Sequence, residues 1–287
     1  MSKDWIDVKI ENIPEFRLSL GDKLDLYYNN SKDTPDYEPW TTQIFIKMLS
    51  ERPKFLDIGA NIGWYSCIAS AVSGGQADVH AFEPEPSNFS KLQMNADTNG
   101  FQNVKSWPCA VGEADGKAQL FLSKDNHGDH RLSSDDEDRD VIDIDVVKLD
   151  TFLSDKIFVP DLVKIDVQGA EPLVFLGAEK SFASAGDTMA MLIEFQPESL
   201  GLKAAHKLVD SIFAFNRPVF DLYPYDGGAL RPIDQHVLHE AVEGSLHPRF
   251  PAHIDILIAP HDERLNRVSH LIGNPFVQWH YDENAIA

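Results

Sequence analysis

Residues 54–66 read KFLDIGANIGWYS. KFLDI is a short, mostly apolar run that ends beside a carboxylate, the pattern of a buried strand. Gly59-Ala60-Asn61-Ile62-Gly63 is a tight turn, and from Trp64 the pattern is helical. Gly59 carries no Cβ to keep a ligand off the main chain. The start of the following helix offers backbone N–H groups with no partner inside the helix. Gly59, Ala60, Asn61 and Gly63 are therefore candidate cofactor-binding residues.

The same alternation extends outward. Asp78–Phe82 is a second strand, Val104–Val111 a third, Leu162–Ile165 a fourth and Met189–Phe195 a fifth. Trp64–Val72 is predicted helical, as is a helix capped by Ser87 that stops at Asn99-Gly100. Strands separated by helices imply right-handed crossovers and a doubly wound, mainly parallel Rossmann-like α/β sheet. Upstream, WIDVKI and FRLSL alternate as a small N-terminal β element over residues 1–36, with a turn at Gly21-Asp22 before KLDLYY. A helix from Trp40 to about Ser50 opens the main domain, residues 37–260. GKAQLFLS and VIDIDVVKL break the rhythm as a β insertion, 113–150, expected to lie over the site. After a helix around Leu202–Phe215, Val219–Tyr223 and Ile254–Ala259 are expected to form an antiparallel hairpin at the sheet edge. Residues 261–287 show weak periodicity and are expected to be a tail.

Apolar residues make up 43% of the 287 and charged residues 25%, enough for a sizeable core without staples. The only cysteines, Cys67 and Cys109, have no metal-ligand spacing, so a reducing, cytoplasmic setting is expected. MSKDWIDVKIENIPEF has no basic or apolar signal region, and no run of 18 apolar residues suggests a membrane span. A net charge of −21 opposes a nucleic-acid or anionic membrane partner, serves solubility, and leaves a cationic partner open. The acidic run Asp135–Asp140 lacks the regular ligands and glycine of a calcium loop and is expected to be a solvated loop.

Four acids fall at four strand ends. They are Asp57, Glu83 in HAFEPEP, Asp166 in LVKIDVQGAE, and Glu194 in LIEFQP. Open α/β sheets bind ligands at that edge, and an acid after the second strand accepts hydrogen bonds from ribose hydroxyls. Glu83 lies 24 residues after Gly59, near the spacing expected for that role. Asp57, two positions before Gly59, is a poor neighbour for a pyrophosphate and a good one for a cation. That favours S-adenosyl-L-methionine (SAM) over NAD. A dinucleotide site would also want glycine where Trp64 stands. An NAD(P)-linked oxidoreductase or epimerase is thus the weaker alternative, and a non-catalytic SAM-fold binding module a third. His127 and His130 are candidate bases, because neutral imidazole takes a proton near pH 7. No spacing motif supports a metal at Asp166 and Glu194, and none is expected.

The motifs DIGANIGWYS, AFEPEPSNFSKLQMN, AVG, LDTFL and KIDVQGAE, with YEPW upstream and LIEFQPE downstream, resemble those of FkbM-type methyltransferases. The resemblance runs from about Tyr37 to Glu198, with Gln168 where the family more usually has Glu. It implies O-methyl transfer from SAM, often to sugar or natural-product hydroxyls. Gly59, Asn61 and Glu83 would contact SAM, with Asp57 beside its methionine end. Asp166 and Glu171 would line the methyl-transfer site, and DNHGDHRLS would supply the family's polar loop with its histidine.

Overall fold

The computed structural model describes residues 5–19, 37–124, 128–132, 139–223, 229–244 and 254–272. The elements are β1 (Trp5–Val8), β2 (Phe16–Ser19), α1 (Pro39–Met48), β3 (Lys54–Ile58), α2 (Trp64–Val72), β4 (Asp78–Phe82) and α3 (Pro86–Thr98). Next come β5 (Val104–Trp107), β6 (Cys109–Gly112), β7 (Gly116–Leu122), β8 (Asp140–Lys148), α4 (Leu149–Phe152), β9 (Leu162–Ile165), α5 (Glu171–Gly177) and α6 (Glu179–Ala185). The rest are β10 (Ala190–Phe195), α7 (Pro197–Leu200), α8 (Leu202–Phe213), β11 (Val219–Tyr223), β12 (Ala229–Pro232), α9 (Gln235–Gly244), β13 (Ile254–Ile258) and α10 (Glu263–Val268).

Eight strands form one sheet in the order β12-β11-β13-β10-β9-β3-β4-β5. The block from β10 to β5 is parallel, and β13, β11 and β12 extend it antiparallel. From β3 the chain winds outward through β4 and β5, then returns to the other side of β3 with β9. The direction of winding therefore reverses between β3 and β9, and a crevice opens there at the carboxyl ends. Successive residues alternate between the two faces. Ile58, Phe82, Ile165 and Ile193 pack in one core, and Phe55, Val79, Leu162 and Leu192 in the other. Among the described residues no helix is long and apolar enough to cross a membrane.

The expected third strand, Val104–Val111, is two strands. Pro108 falls between them; it has no N–H for a ladder. β5 ends the large sheet, whereas β6 turns away into a three-stranded sheet ordered β6-β8-β7. The expected β insertion in residues 113–150 is there as the antiparallel pair β7 and β8. The helix cap falls on Glu85 rather than Ser87: its carboxylate accepts the Asn88 N–H at 2.7 Å, and Pro86 occupies the first turn. Proline is preorganised for that position, which moves the cap one residue before it.

β11 and β13 do pair, but not as an edge hairpin. β12 and α9 lie between them in sequence, β12 takes the edge, and β13 inserts between β10 and β11. Residues 5–8 and 16–19 pair as expected, whereas Gly21-Asp22, KLDLYY and the acidic run 135–138 lie outside the described residues. The stretch read as the start of a tail carries α10. Its Val268 joins the core, and buried Arg264 donates to the carbonyls of Met48 and Asp161, each at 3.0 Å.

Candidate active site at the carboxyl edge of the sheet

The crevice between β3 and β9 is a cleft of about 560 Å³. It is lined by Gly59–Ile62 after β3, Glu83 after β4, Asp166–Gln168 after β9, and Glu194 and Gln196 at the end of β10. Tyr37, Glu38 and Tyr65 come in from before and within α2, and Gly128–Leu132 of the insertion from above.

The turn after β3 is shaped by conflicts that only glycine avoids. At Gly59 (φ +84°) a Cβ would lie 1.8 Å from the Asp166 carbonyl oxygen. The turn thus packs main chain to main chain against the loop after β9. Asn61 takes the left-handed conformation too (φ 50°), which Asn tolerates better than most residues. Its N–H donates to Glu83 Oε2 at 2.8 Å, and Glu83 Oε1 accepts the Glu85 N–H at 2.9 Å. One carboxylate thereby joins the ends of β3 and β4. Burial pushes its pKa up to about 8, against the two N–H donors.

Asp57 does not line the cleft. It is 1% exposed, lies beneath the turn, and accepts Ser66 Oγ–H at 2.6 Å, while burial raises it to about 6. Glu171 is also withdrawn. It is buried at the start of α5 and folds back to accept the N–H groups of Val167 (3.3 Å) and Gly169 (3.1 Å). It therefore braces the loop after β9 rather than facing the cleft, and burial raises it to about 7.

Three predicted strand-end acids do meet the cleft: Glu83, Asp166 and Glu194. Lys164 stands two residues before Asp166, so the two-residue strand period puts both on one face. It is the centre of the cluster. Its ammonium is buried, 2.9 Å from Asp166 Oδ2 and 4.9 Å from the centre of the Tyr65 ring. Burial opposes that charge, but Asp166, Glu38, Asp255 and Glu194 outweigh it and raise the lysine above its ordinary value. Burial likewise opposes the Asp166 charge, but Lys164 prevails and holds the carboxyl well below the usual carboxylate range. Glu194 is pushed the other way by burial and by the charge of Asp166. The Gln168 amide donates to Asp166 Oδ1 at 2.8 Å and to Glu194. The two carboxyls are thus driven in opposite directions, Asp166 toward its charged form and Glu194 toward its protonated one.

Glu38 was not singled out from the sequence, although it stands in YEPW. It lines the cleft just before α1 and accepts the Tyr65 hydroxyl at 2.5 Å. Burial raises it to about 7, with Lys164 pulling the other way. His130 also lines the cleft, and its Nδ1 accepts the Ser123 N–H at 3.1 Å. A neutral ring accepting at Nδ1 carries its proton at Nε2, so in that tautomer it is a donor and not a base. His127 lies outside the described residues.

Four buried carboxyls, Asp57, Glu83, Glu38 and Glu171, are raised above the ordinary 3.8 to 4.5. Their protonated forms favour folding. That contribution is complete below about pH 4 and is lost as pH rises through about 6 to 8. The cofactor-free protein is therefore expected to melt roughly 5 °C or more lower at pH 8.5 than at pH 5.5. A flat or rising melting temperature over that range would refute the assignment of buried, proton-holding acids.

The strand order and an acidic cleft beside a glycine turn define a nucleoside-binding α/β enzyme class. Residues 57–215 match the Methyltransferase FkbM domain, more than half the chain, and the chain belongs to that family. It is 26% identical over 192 residues to "Methyltransferase 1" of Beauveria bassiana, covering 57% of this chain and 75% of that one. It is 26% identical over 146 residues to "Hexuronic acid methyltransferase AglP" of Haloferax volcanii, covering 50% and 56%. Methyltransferase FkbM from Methylobacillus flagellatus superposes with a TM-score of 0.44 at 18% identity, over 74% of this chain and 47% of that one. The chain thus spans about half the length of two of these three proteins.

The cofactor is SAM. The residues present fit it. Among the charged side chains lining the cleft, the acids Glu38, Glu83, Asp129, Asp166 and Glu194 outnumber Lys164 and Arg131, which suits a ligand carrying a sulfonium and an ammonium. Asn61 Oδ1 is buried at the cleft wall without a hydrogen-bond partner and awaits a donor. Glu83, with both oxygens already positioned by N–H groups, retains lone pairs for the ribose hydroxyls.

Proposed function

We propose that this methyltransferase transfers the methyl group to a hydroxyl of a saccharide or small natural-product-like acceptor. The observation that carries this reading is the cluster of Glu38, Asp166, Gln168 and Glu194 around Lys164, in the cleft that the glycine turn also lines. When bound, SAM supplies a methyl group already activated on a sulfonium, so the chain's task is alignment and proton removal. The Gly59–Gly63 turn and Glu83 hold the nucleoside half. Asp166, kept ionised by Lys164, accepts a hydrogen bond from the acceptor hydroxyl and fixes its direction. Glu38, raised to about 7 and oriented by Tyr65, takes the hydroxyl proton, because a base is most effective with a pKa near the working pH. Asp166 is too acidic for that step.

The name of the AglP relative supports a sugar acceptor. A net charge of −21 supports a small acceptor over a polyanionic one. A screen of neutral sugars, uronic acids and polyhydroxylated natural products with methyl-labelled SAM tests the reading. Label should appear on a hydroxyl of one class. Binding of SAM with no transfer to any acceptor would favour the binding-module alternative. With the acceptor in hand, the rate is expected to rise with pH through about 7 as Glu38 ionises. Glu38→Gln should remove that limb; a variant that keeps it would return suspicion to His127 or His130.

A further inference from the structure

Outside the cleft lining, α8 and α9 face each other through two histidines and two carboxylates, each pair spaced i, i+4 on its own helix. His206 and Asp210 lie on α8, and His239 and Glu243 on α9. His206 Nε2 is 2.9 Å from Glu243 Oε1, and His239 Nε2 is 3.2 Å from Asp210 Oδ1. The two Nδ1 atoms face each other at 2.7 Å. Gln235 donates to the same Asp210 oxygen at 2.8 Å.

A carboxylate can only accept, so each Nε2 that faces one carries a hydrogen. Two neutral rings so arranged turn two Nδ1 lone pairs toward each other, so the contact calls for either a shared proton or a metal ion between them. A neutral imidazole whose other N–H is held by a carboxylate is the arrangement that orients histidine toward a metal. We propose that His206 and His239 bind a divalent transition ion of the zinc class through their Nδ1 atoms, clasping α8 to α9. With Zn–N bonds of about 2.0–2.1 Å the nitrogens would separate to about 3.3 Å, a side-chain adjustment of about half an ångström. The rings are about 30% exposed, which leaves room for water at the remaining positions. No group of three or more His, Cys, Asp or Glu side chains able to hold a metal occurs among the described residues, so the ion rests on two protein ligands. Nitrogen ligands select zinc, nickel or copper over magnesium or calcium.

The test uses the chelator-treated full chain at pH 7.5, titrated with zinc chloride and, as control, magnesium chloride. One equivalent of zinc should bind and raise the melting temperature by roughly 3 °C or more, and magnesium should do neither. His206→Ala with His239→Ala should abolish the zinc response. Asp210→Asn and Glu243→Gln should weaken binding by about tenfold or more. The chain has eleven histidines, so an unchanged zinc response in the double variant would overturn the site. No zinc response in the wild type would overturn it as well and leave a shared proton between the rings. If the variants fail to fold, X-ray absorption on the zinc-loaded wild type decides: two imidazole ligands at one ion support the site, and any other count refutes it.

Discussion

Asp166→Asn is expected to lower methyl transfer by about 10²-fold or more while SAM affinity stays within a few-fold. The asymmetry follows from position. On the proposed assignment the cofactor's nucleoside half lies on the Gly59–Gly63 turn and Glu83, whereas the Asp166 side chain belongs to the Lys164 cluster, bonded to Lys164 at 2.9 Å and to Gln168 at 2.8 Å. Asparagine preserves shape but removes the charge that Lys164 stabilises, so it loses its hold on a hydroxyl as the proton leaves. Glu194, now freed from the field of Asp166, can ionise and neutralise the lysine, which should spare the fold. The measurement is single-turnover transfer of labelled methyl beside calorimetric SAM affinity. Near-normal turnover would remove Asp166 from the mechanism, and loss of SAM binding would make it a cofactor ligand instead.

Gly59→Ala is expected to destabilise the protein by about 3 kcal/mol or more, a drop of roughly 10 °C in melting temperature. The new Cβ would lie 1.8 Å from the Asp166 carbonyl oxygen, and neither partner is a flexible side chain. β3 and β9 are adjacent in the sheet, so the turn cannot retreat without parting them. Gly74→Ala is the proper comparison. Gly74 also has positive φ, yet a Cβ there meets nothing within 4 Å. Its cost should be only the left-handed strain, about 1 kcal/mol. Equal melting temperatures for the two variants would contradict the tight packing of the turn on the loop after β9.

The parallel half of the sheet was legible because each of its strands is a buried apolar run followed by a helix-start signal. KFLDIGANIG and LVKIDVQGAE announced β3 and β9, and their strand ends located the crevice. What local pattern does not carry is pairing at long range. Nothing in Ile254–Ala259 says that β13 inserts between β10 and β11, and only the position of Pro108 hinted that the third strand would divide. The site shows the same limit. The strand end identified Asp57 as an acid near the edge and the family resemblance put Glu171 at the transfer site, but neither said that Asp57 faces α2 and Glu171 curls back onto its own loop. The two-residue period puts Lys164 beside Asp166, but its role depends on Glu38, Glu194 and Asp255, which three other elements bring around it. Glu38 had a signal, YEPW, but the residues before it gave no strand or helix pattern to say where it would point.

Calorimetric titration of SAM into the wild-type protein and into Glu83→Ala tests the central claim most directly. Glu83 ties the ends of β3 and β4 together at the wall of the cleft and is assigned to the ribose hydroxyls. The wild type should bind one SAM, and the variant should bind it about 1–3 kcal/mol more weakly, the scale of a hydrogen bond lost at a buried site. Undiminished affinity in Glu83→Ala, with the fold intact, would contradict the placement of the cofactor in this cleft.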